Sequence, residues 1–224
     1  MDSGRYLFLG YPLSSTSPTP PAIPPIQYDP FMTIEKDGAN VTRLLFTSHT
    51  GTHMDAPLHV ISGGFSITDL NPEDYIFNSP LVIDLSMPDS AVVQPEQLEP
   101  FVADAQEADL LLFRFGYGSV REQDPSRYST KSPGFGVSSA EFLIRKFPNM
   151  RGIGMDVPSL SCIEHLETTF DAHQILLSGN ERRFIVIEDM YLDQDLSELK
   201  MVIVSPLMVE NLDGAPVTVI GVLA

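Results

Sequence analysis

Ser48-His49-Thr50-Gly51-Thr52-His53-Met54-Asp55-Ala56-Pro57-Leu58-His59 holds three of the chain's five histidines, with an aspartate among them. Neutral imidazole and carboxylate together suit borderline divalent cations such as Zn²⁺ or Mn²⁺. His49 and His53 stand four apart, so one helical turn would bring them to one face. Gly51 argues instead for a loop or tight turn, in which the backbone bends both rings onto one ion. Asp55 could complete three protein ligands. A catalytic site then keeps a position open for water, whose pKa the ion lowers towards neutrality. His59, beyond a proline, need not ligate; imidazole exchanges protons near neutral pH, which suits it to acid–base work beside the ion. The bland alternative is a polar patch of turn-capping histidines, but four ligand-type side chains are costly to collect without a use. A structural zinc would bring cysteines, and the segment has none.

Outward from this segment the chain alternates strand-like and helix-like stretches. Tyr6–Leu9 reads as a strand, and seven prolines follow between Pro12 and Pro30. Consecutive prolines favour an extended, pre-ordered chain, so 12–30 is expected to be a stiff loop pinned at both ends. Phe31–Glu35 and Val41–Thr47 flank Asp37-Gly38, a hairpin signal. Further strands are expected at Leu81–Leu85, Leu110–Phe115, Gly152–Asp156, Phe184–Glu188, Met201–Val204 and Val217–Val222. Several are continuous Val/Ile/Leu runs, as in strands covered on both faces. Helices are expected at Pro95–Ala105, from a capping box at Ser138-Ser-Ala-Glu141 to before Pro148, and over Ile163–Leu177 with a stop at Ser178-Gly179. The interleaving gives an α/β or α+β class in a single domain, 1–224.

Composition bounds the partners. The 224 residues are 43% apolar and 19% charged, ordinary for a globular chain. Thirteen Lys+Arg against thirty Asp+Glu give a net charge of −17. Such a chain repels phosphate backbones and lacks a basic face for anionic membranes, so neither nucleic acid nor membrane is an expected partner. No run reaches the roughly 18 apolar residues of a membrane span, and Met1–Gly10 does not read as a signal peptide. The lone Cys162 excludes an internal disulfide and reads as a small core residue. The expected compartment is the cytoplasm.

His49-Thr-Gly-Thr-His53-Met-Asp55-Ala-Pro57-Leu-His59 resembles the His-x-Gly-Thr-His-x-Asp-x-Pro-x-His signature of the cyclase-family metal-dependent hydrolases, which include bacterial kynurenine formamidases, isatin hydrolases and a dienelactone hydrolase. The resemblance continues through Phe113-Arg-Phe-Gly116, Pro133-Gly134, Gly154-Met-Asp156-Val-Pro-Ser159, Ala172-His173-Gln-Ile-Leu-Leu177 and Ile187-Glu188. It implies an α/β fold of the swivelling β/β/α type, with mixed β-sheet and packed helices. It also implies a homodimer or tetramer and an N-terminal segment near the substrate pocket. By the matching positions, His49, His53 and Asp55 bind a first metal. In dinuclear members Asp55 bridges to a second metal held by His173 and Glu188, and His59 is the catalytic acid/base. Taken alone, His173 reads as a helical packing residue and Glu188 as a strand-end carboxylate.

Other candidates carry less. Ser159 could hydrogen-bond substrate or cap the turn after Pro158. Arg114 could hold a substrate carboxylate or pair with a neighbouring acid. His165 reads as solvent-facing or packed. The expected function is a hydrolase that opens an amide, lactam, formamide or lactone of a small molecule, using one or two Zn²⁺ or Mn²⁺ per chain. The alternatives are a cyclase or dehydratase using the same ion as a Lewis acid, and a metal-dependent ligand-binding protein without turnover.

Overall fold

The computed structural model describes residues 6–178 and 183–224. Its strands, in chain order, are β1 (Tyr6–Phe8), β2 (Gln27–Met32), β3 (Val41–Leu45), β4 (His53–Asp55), β5 (Ile76–Phe77), β6 (Pro80–Asp84), β7 (Val92–Val93), β8 (Leu110–Arg114), β9 (Gly134–Phe135), β10 (Gly152–Met155), β11 (Ile185–Glu188), β12 (Leu199–Pro206) and β13 (Gly214–Leu223). Nine of them form one mixed sheet in the order β5-β12-β13-β4-β11-β10-β8-β6, with β1 also paired to β13. Strands β6, β8, β10 and β11 lie parallel, and β4 joins β11 antiparallel. The edge strands β5 and β6 are consecutive in the chain, with only Asn78 and Ser79 between them. The sheet therefore curls until its edges nearly meet.

Each strand feeds two cores by the two-residue alternation of side chains. Leu110, Leu112, Ile185, Ile187 and Met54 point into the curl, where Phe77, Val202, Val204, Ala215 and Val219 fill the space. Leu111, Phe113, Ile153, Met155 and Val186 point outward against Ala140, Leu143, Phe147, Ala172, Leu176 and Leu177 of the helical layer. Burying such a side chain stabilises the fold by about 1.5–3 kcal/mol each. Cys162 is free and buried.

Most strand expectations hold to within a few residues; β4, β5, β7 and β9 lie outside the expected set, and of Phe31–Glu35 only Phe31 and Met32 are strand. The loop or tight turn expected between His49 and His53 is present, as turn and bend over 48–52 with Gly51 at φ +65°, but His53–Asp55 beyond it is a fully buried strand. The hairpin forms as β2 and β3, with one helical turn, Ile34–Asp37, closed by Gly38 at φ +78°. The proline-rich stretch remains a loop only to Ile26; Asp29 and Pro30 already belong to β2. Three helix expectations need correction. Pro95–Ala105 is helical over Pro95–Leu98 and then tightens to a 3₁₀ turn at Glu99–Phe101, because Pro100 has no N–H to continue the ladder. Two unexpected short helices follow, Gly118–Gln123 and Pro125–Lys131. The second expected helix spans Val137–Lys146, and its cap is Gly136 with Ser139, not Ser138 with Glu141: Ser139 Oγ accepts from Gly136 N–H at 3.0 Å. Ile163–Leu177 is three short pieces, of which Asp171–Leu177 carries His173. Gly179 lies outside the described residues.

Candidate metal centre

Strand alternation builds the site. Met54 fills the curl, so its neighbours His53 and Asp55 emerge together on the helix-facing side. In the β4–β11 register Glu188 stands opposite His53, and antiparallel partners share a face. Helix Asp171–Leu177 packs over that face and delivers His173. Four side chains from three elements thus converge, and all four are buried.

The distances are those of a ligand set. His53 Nε2 lies 3.1 Å from Glu188 Oε2 and 3.5 Å from Asp55 Oδ1. His173 Nε2 lies 3.3 Å from Glu188 Oε1 and 3.7 Å from Asp55 Oδ2. Four donors about 2.1 Å from an ion, arranged tetrahedrally, stand about 3.4 Å apart. The other ring nitrogens are committed elsewhere. His53 Nδ1 donates to Gly51 O at 2.8 Å. Ser161 Oγ donates its single proton to Thr169 O, so it accepts from His173 Nδ1 at 3.0 Å. Both imidazoles therefore aim Nε2 at the carboxylates, as an N–H donor when charged and as a lone pair for an ion when neutral. Leu160 N–H fixes Glu188 Oε1 at 2.6 Å. Among the described residues, His53 Nε2 and Asp55 Oδ2 are buried and meet no partner in hydrogen-bonding geometry, close as Glu188 lies. A buried polar atom left so costs about 1–3 kcal/mol. Two of them in one cluster, in a nitrogen and oxygen donor set, fit a divalent cation.

His49 enters from the turn before β4. Its Nδ1 lies 2.9 Å from Asp55 Oδ1 and its Nε2 2.9 Å from Asp213 Oδ2. His49, His53 and Asp55 each bring a ligand atom within 4.8 Å of the others, as do Asp55, His59 and His173, and His49, His59 and Asp213. The Asp55 carboxylate faces His49 and His53 with one oxygen and His173 with the other. Burial works against a charge on His49, but Asp55 and Asp213 outweigh it and raise its pKa to about 9. Burial likewise opposes charge on His53 and His173, yet Glu188 beside them raises both. Glu188 itself is pushed up by burial and pulled further down by His173 and His53.

His59 closes a 3₁₀ turn, Pro57–His59. Its ring centroid is 4.1 Å from that of His49 and 5.7 Å from that of His173. A cavity of about 160 Å³ opens over the cluster, and His49, His53, His59, Ser159, His173 and Glu188 line it. Its apolar wall includes Pro20, Ala22 and Ile23 of the proline-rich stretch. Arg114 stands apart: its guanidinium forks onto Asp84, its in-register neighbour, and donates to Leu192 O (3.2 Å) and Gln194 O (3.0 Å). His165 is exposed.

Two contributors escaped the sequence reading. Asp213 reaches His49 and also His59 Nδ1 (3.4 Å) across 164 and 154 residues of chain. Burial opposes its ionisation, but His49 outweighs that and holds its pKa at about 2. Gly214 lies flush against His49, and a Cβ there would stand 2.8 Å from His49 Cε1. Nothing local to Asp213-Gly214 marks either role. Only the pairing of Gly214 with Asp55 brings them to the site.

The donor set fits a site for a divalent cation. The cyclase family model ("Putative cyclase") matches residues 8–162, and the chain belongs to that family. A kynurenine formamidase of Bacillus cereus is 29% identical over 218 residues, covering 97% of each chain. The kynurenine formamidase of another Bacillus cereus strain is 30% identical over 219 residues, again at 97% of each. Among solved structures, isatin hydrolase A from Ralstonia solanacearum superposes with a TM-score of 0.81 at 21% identity, over 99% of this chain and 92% of that one. Isatin hydrolase A from Labrenzia aggregata gives 0.80 at 20%, over 98% and 94%. These neighbours share the fold. No helix among the described residues is long and apolar enough to cross a membrane.

Proposed function

We propose that this chain is a metal-dependent hydrolase of small amides, with an N-formyl arylamine as the first substrate class and lactams and lactones as the next. The observation that carries the reading is the convergence of His53, Asp55, His173 and Glu188 at 3.1–3.7 Å, with two buried donor atoms unpartnered. The kynurenine formamidase relatives, aligned over almost the whole chain, support the formamide.

His49, His53 and Asp55 would hold one Zn²⁺ or Mn²⁺, and His173 and Glu188, sharing Asp55, a second. When bound, such ions supply Lewis-acid polarisation of a carbonyl and acidify water. The chain's own groups do the rest. Pro20, Ala22 and Ile23 wall off bulk water and give an aryl ring an apolar surface. Ser159 on the cavity lining can donate to a substrate oxygen. His59, on the same lining, returns a proton to the departing nitrogen or oxygen, and Asp213 at Nδ1 fixes its ring. The unit we read as this enzyme is a single domain spanning 1–224, with the 12–30 stretch built into its pocket.

We read it as a cytoplasmic homodimer. Single-cysteine usage suits a reducing compartment. Among the described residues the β2–β3 hairpin has no third strand, and two-stranded hairpins are marginal in water. It exposes Tyr28, Phe31, Ile34, Val41, Leu44 and Leu45, with Phe31 at 59% and Leu45 at 63%. A second copy is the covering surface that this apolar arm requires.

The test is consumption of an N-formyl arylamine, an aromatic lactam and an aryl lactone by protein with and without added Zn²⁺ or Mn²⁺. Metal-dependent release of formate or ring-opened acid is expected. Turnover that survives chelation and dialysis, or no turnover of any of the three, overturns the reading.

A further inference from the structure

Directly behind the His53–Glu188 pair lies a second buried polar cluster that the hydrolytic chemistry does not use. Asp189 follows Glu188 and holds φ +55°, a left-handed conformation that non-glycine residues rarely adopt. Its carboxylate accepts from Arg121 Nε at 2.7 Å and Nη2 at 2.9 Å, a bidentate fork, and from Tyr128 OH at 2.6 Å. Arg121 lies 3.7 Å over the ring of Tyr11. The backbone of Asp189 is held as well, with its N–H on Val157 O at 2.8 Å.

The contact to the site runs through Thr52. In the β4–β11 register His53 faces Glu188, so Thr52 and Asp189 are the next pair. There the ladder is continued by a side chain: Thr52 Oγ donates to Asp189 O at 2.6 Å and accepts from Tyr11 N–H at 2.9 Å. Thr52, Asp189 and Tyr128 are all buried. The two residues that flank the proposed ligands are thus tied to each other, and Asp189 is clamped from behind by Arg121 and Tyr128. A buried ion pair is often no more stabilising than well-packed apolar residues of the same volume, so packing alone does not account for one here. The clamp fixes a strained turn at the residue where a ligand strand ends.

We infer that the Arg121–Asp189–Tyr128 clamp, acting through the Thr52 hydroxyl, is a positioning device that sets the spacing of His53 and Glu188 within the proposed metal centre. This rests on the metal-centre reading above. None of the four is a catalytic residue, since none lines the cavity over the cluster.

The experiment measures Zn²⁺ affinity of the purified chain by competition with a chromophoric chelator, beside the melting curve of the metal-free protein. Thr52→Val removes the hydroxyl at constant shape, Thr52→Ser restores it, and Arg121→Met with Asp189→Asn removes both charges together and leaves no buried charge unpaired. Partners that orient metal ligands are worth about tenfold to hundredfold in affinity, so Thr52→Val and the double variant should each weaken Zn²⁺ binding by about that factor, while Thr52→Ser stays within about threefold of wild type. The melts should remain cooperative. Wild-type affinity in Thr52→Val, or equal weakening in Thr52→Ser, overturns the inference. Should Thr52→Val fail to fold, wild-type affinity in the double variant overturns it instead. A wild-type chain that binds no Zn²⁺ overturns the metal centre itself and this inference with it, an outcome distinct from the others.

Discussion

Replacing Gly214 with alanine should dislodge His49 without altering a single proposed ligand. The added Cβ would lie 2.8 Å from His49 Cε1, 2.8 Å from Met54 O and 3.3 Å from His49 Nδ1. Carbon atoms in contact sit about 3.5–4.0 Å apart, so the ring must retreat by roughly 0.7 Å or more. The Met54 carbonyl belongs to the backbone of β4, inside the sheet, and cannot yield as cheaply. Overpacking of this kind costs about 1–3 kcal/mol. At about 2–4 °C per kcal/mol for a chain of this size, the melting temperature should fall by about 2–12 °C. The ring shift exceeds the roughly 0.2 Å tolerance of metal–ligand distances, so Zn²⁺ affinity should drop about tenfold to hundredfold. A chelator competition titration and a circular dichroism melt read the two effects. Gly38→Ala is the control: unlike Gly214 it has a positive φ, +78°, but its Cβ meets nothing within 4 Å and it lies in the hairpin. It should cost stability and leave the affinity alone. A Gly214→Ala protein that binds Zn²⁺ as tightly as wild type would refute the account of how His49 is seated.

His53→Ala should lose bound metal and turnover together, read by elemental analysis and a formamide assay, because it removes the buried Nε2 that has no other partner. His59→Ala should retain the metal while kcat falls by about 10²–10⁴, measured by steady-state kinetics; normal turnover would end its acid/base assignment. Stripping the metal should lower the melting temperature: at a free ion concentration a hundred times Kd the ion contributes about 2.7 kcal/mol, or about 5–11 °C. Phe31→Asp combined with Leu45→Asp should shift the protein from dimer to monomer in sedimentation analysis, and an unchanged mass would remove the hairpin from the interface.

The strands were legible where they are continuous Val/Ile/Leu runs, because a strand covered on both faces needs no polar alternation. β4 was not, since His-Met-Asp carries only one apolar residue and its strand character comes from neighbours far along the chain. Three of the centre's groups could be read from the spacing around Gly51. His173 and Glu188 came only from resemblance, because a helix and a strand meet at the site through packing that no local pattern encodes. Asp213 and Gly214 were invisible for the same reason. The single long helix over Ile163–Leu177 was overcalled: apolar spacing there continues through two breaks in the hydrogen-bond ladder that periodicity does not register.

Metal content of the untagged protein, purified without chelator and analysed by inductively coupled plasma mass spectrometry, tests the central claim most directly. The donor set around Asp55 predicts about one equivalent of Zn or Mn per chain if only His49, His53 and Asp55 bind, and about two if His173 and Glu188 complete a second site. No bound metal, even after incubation with each ion and desalting, would contradict it.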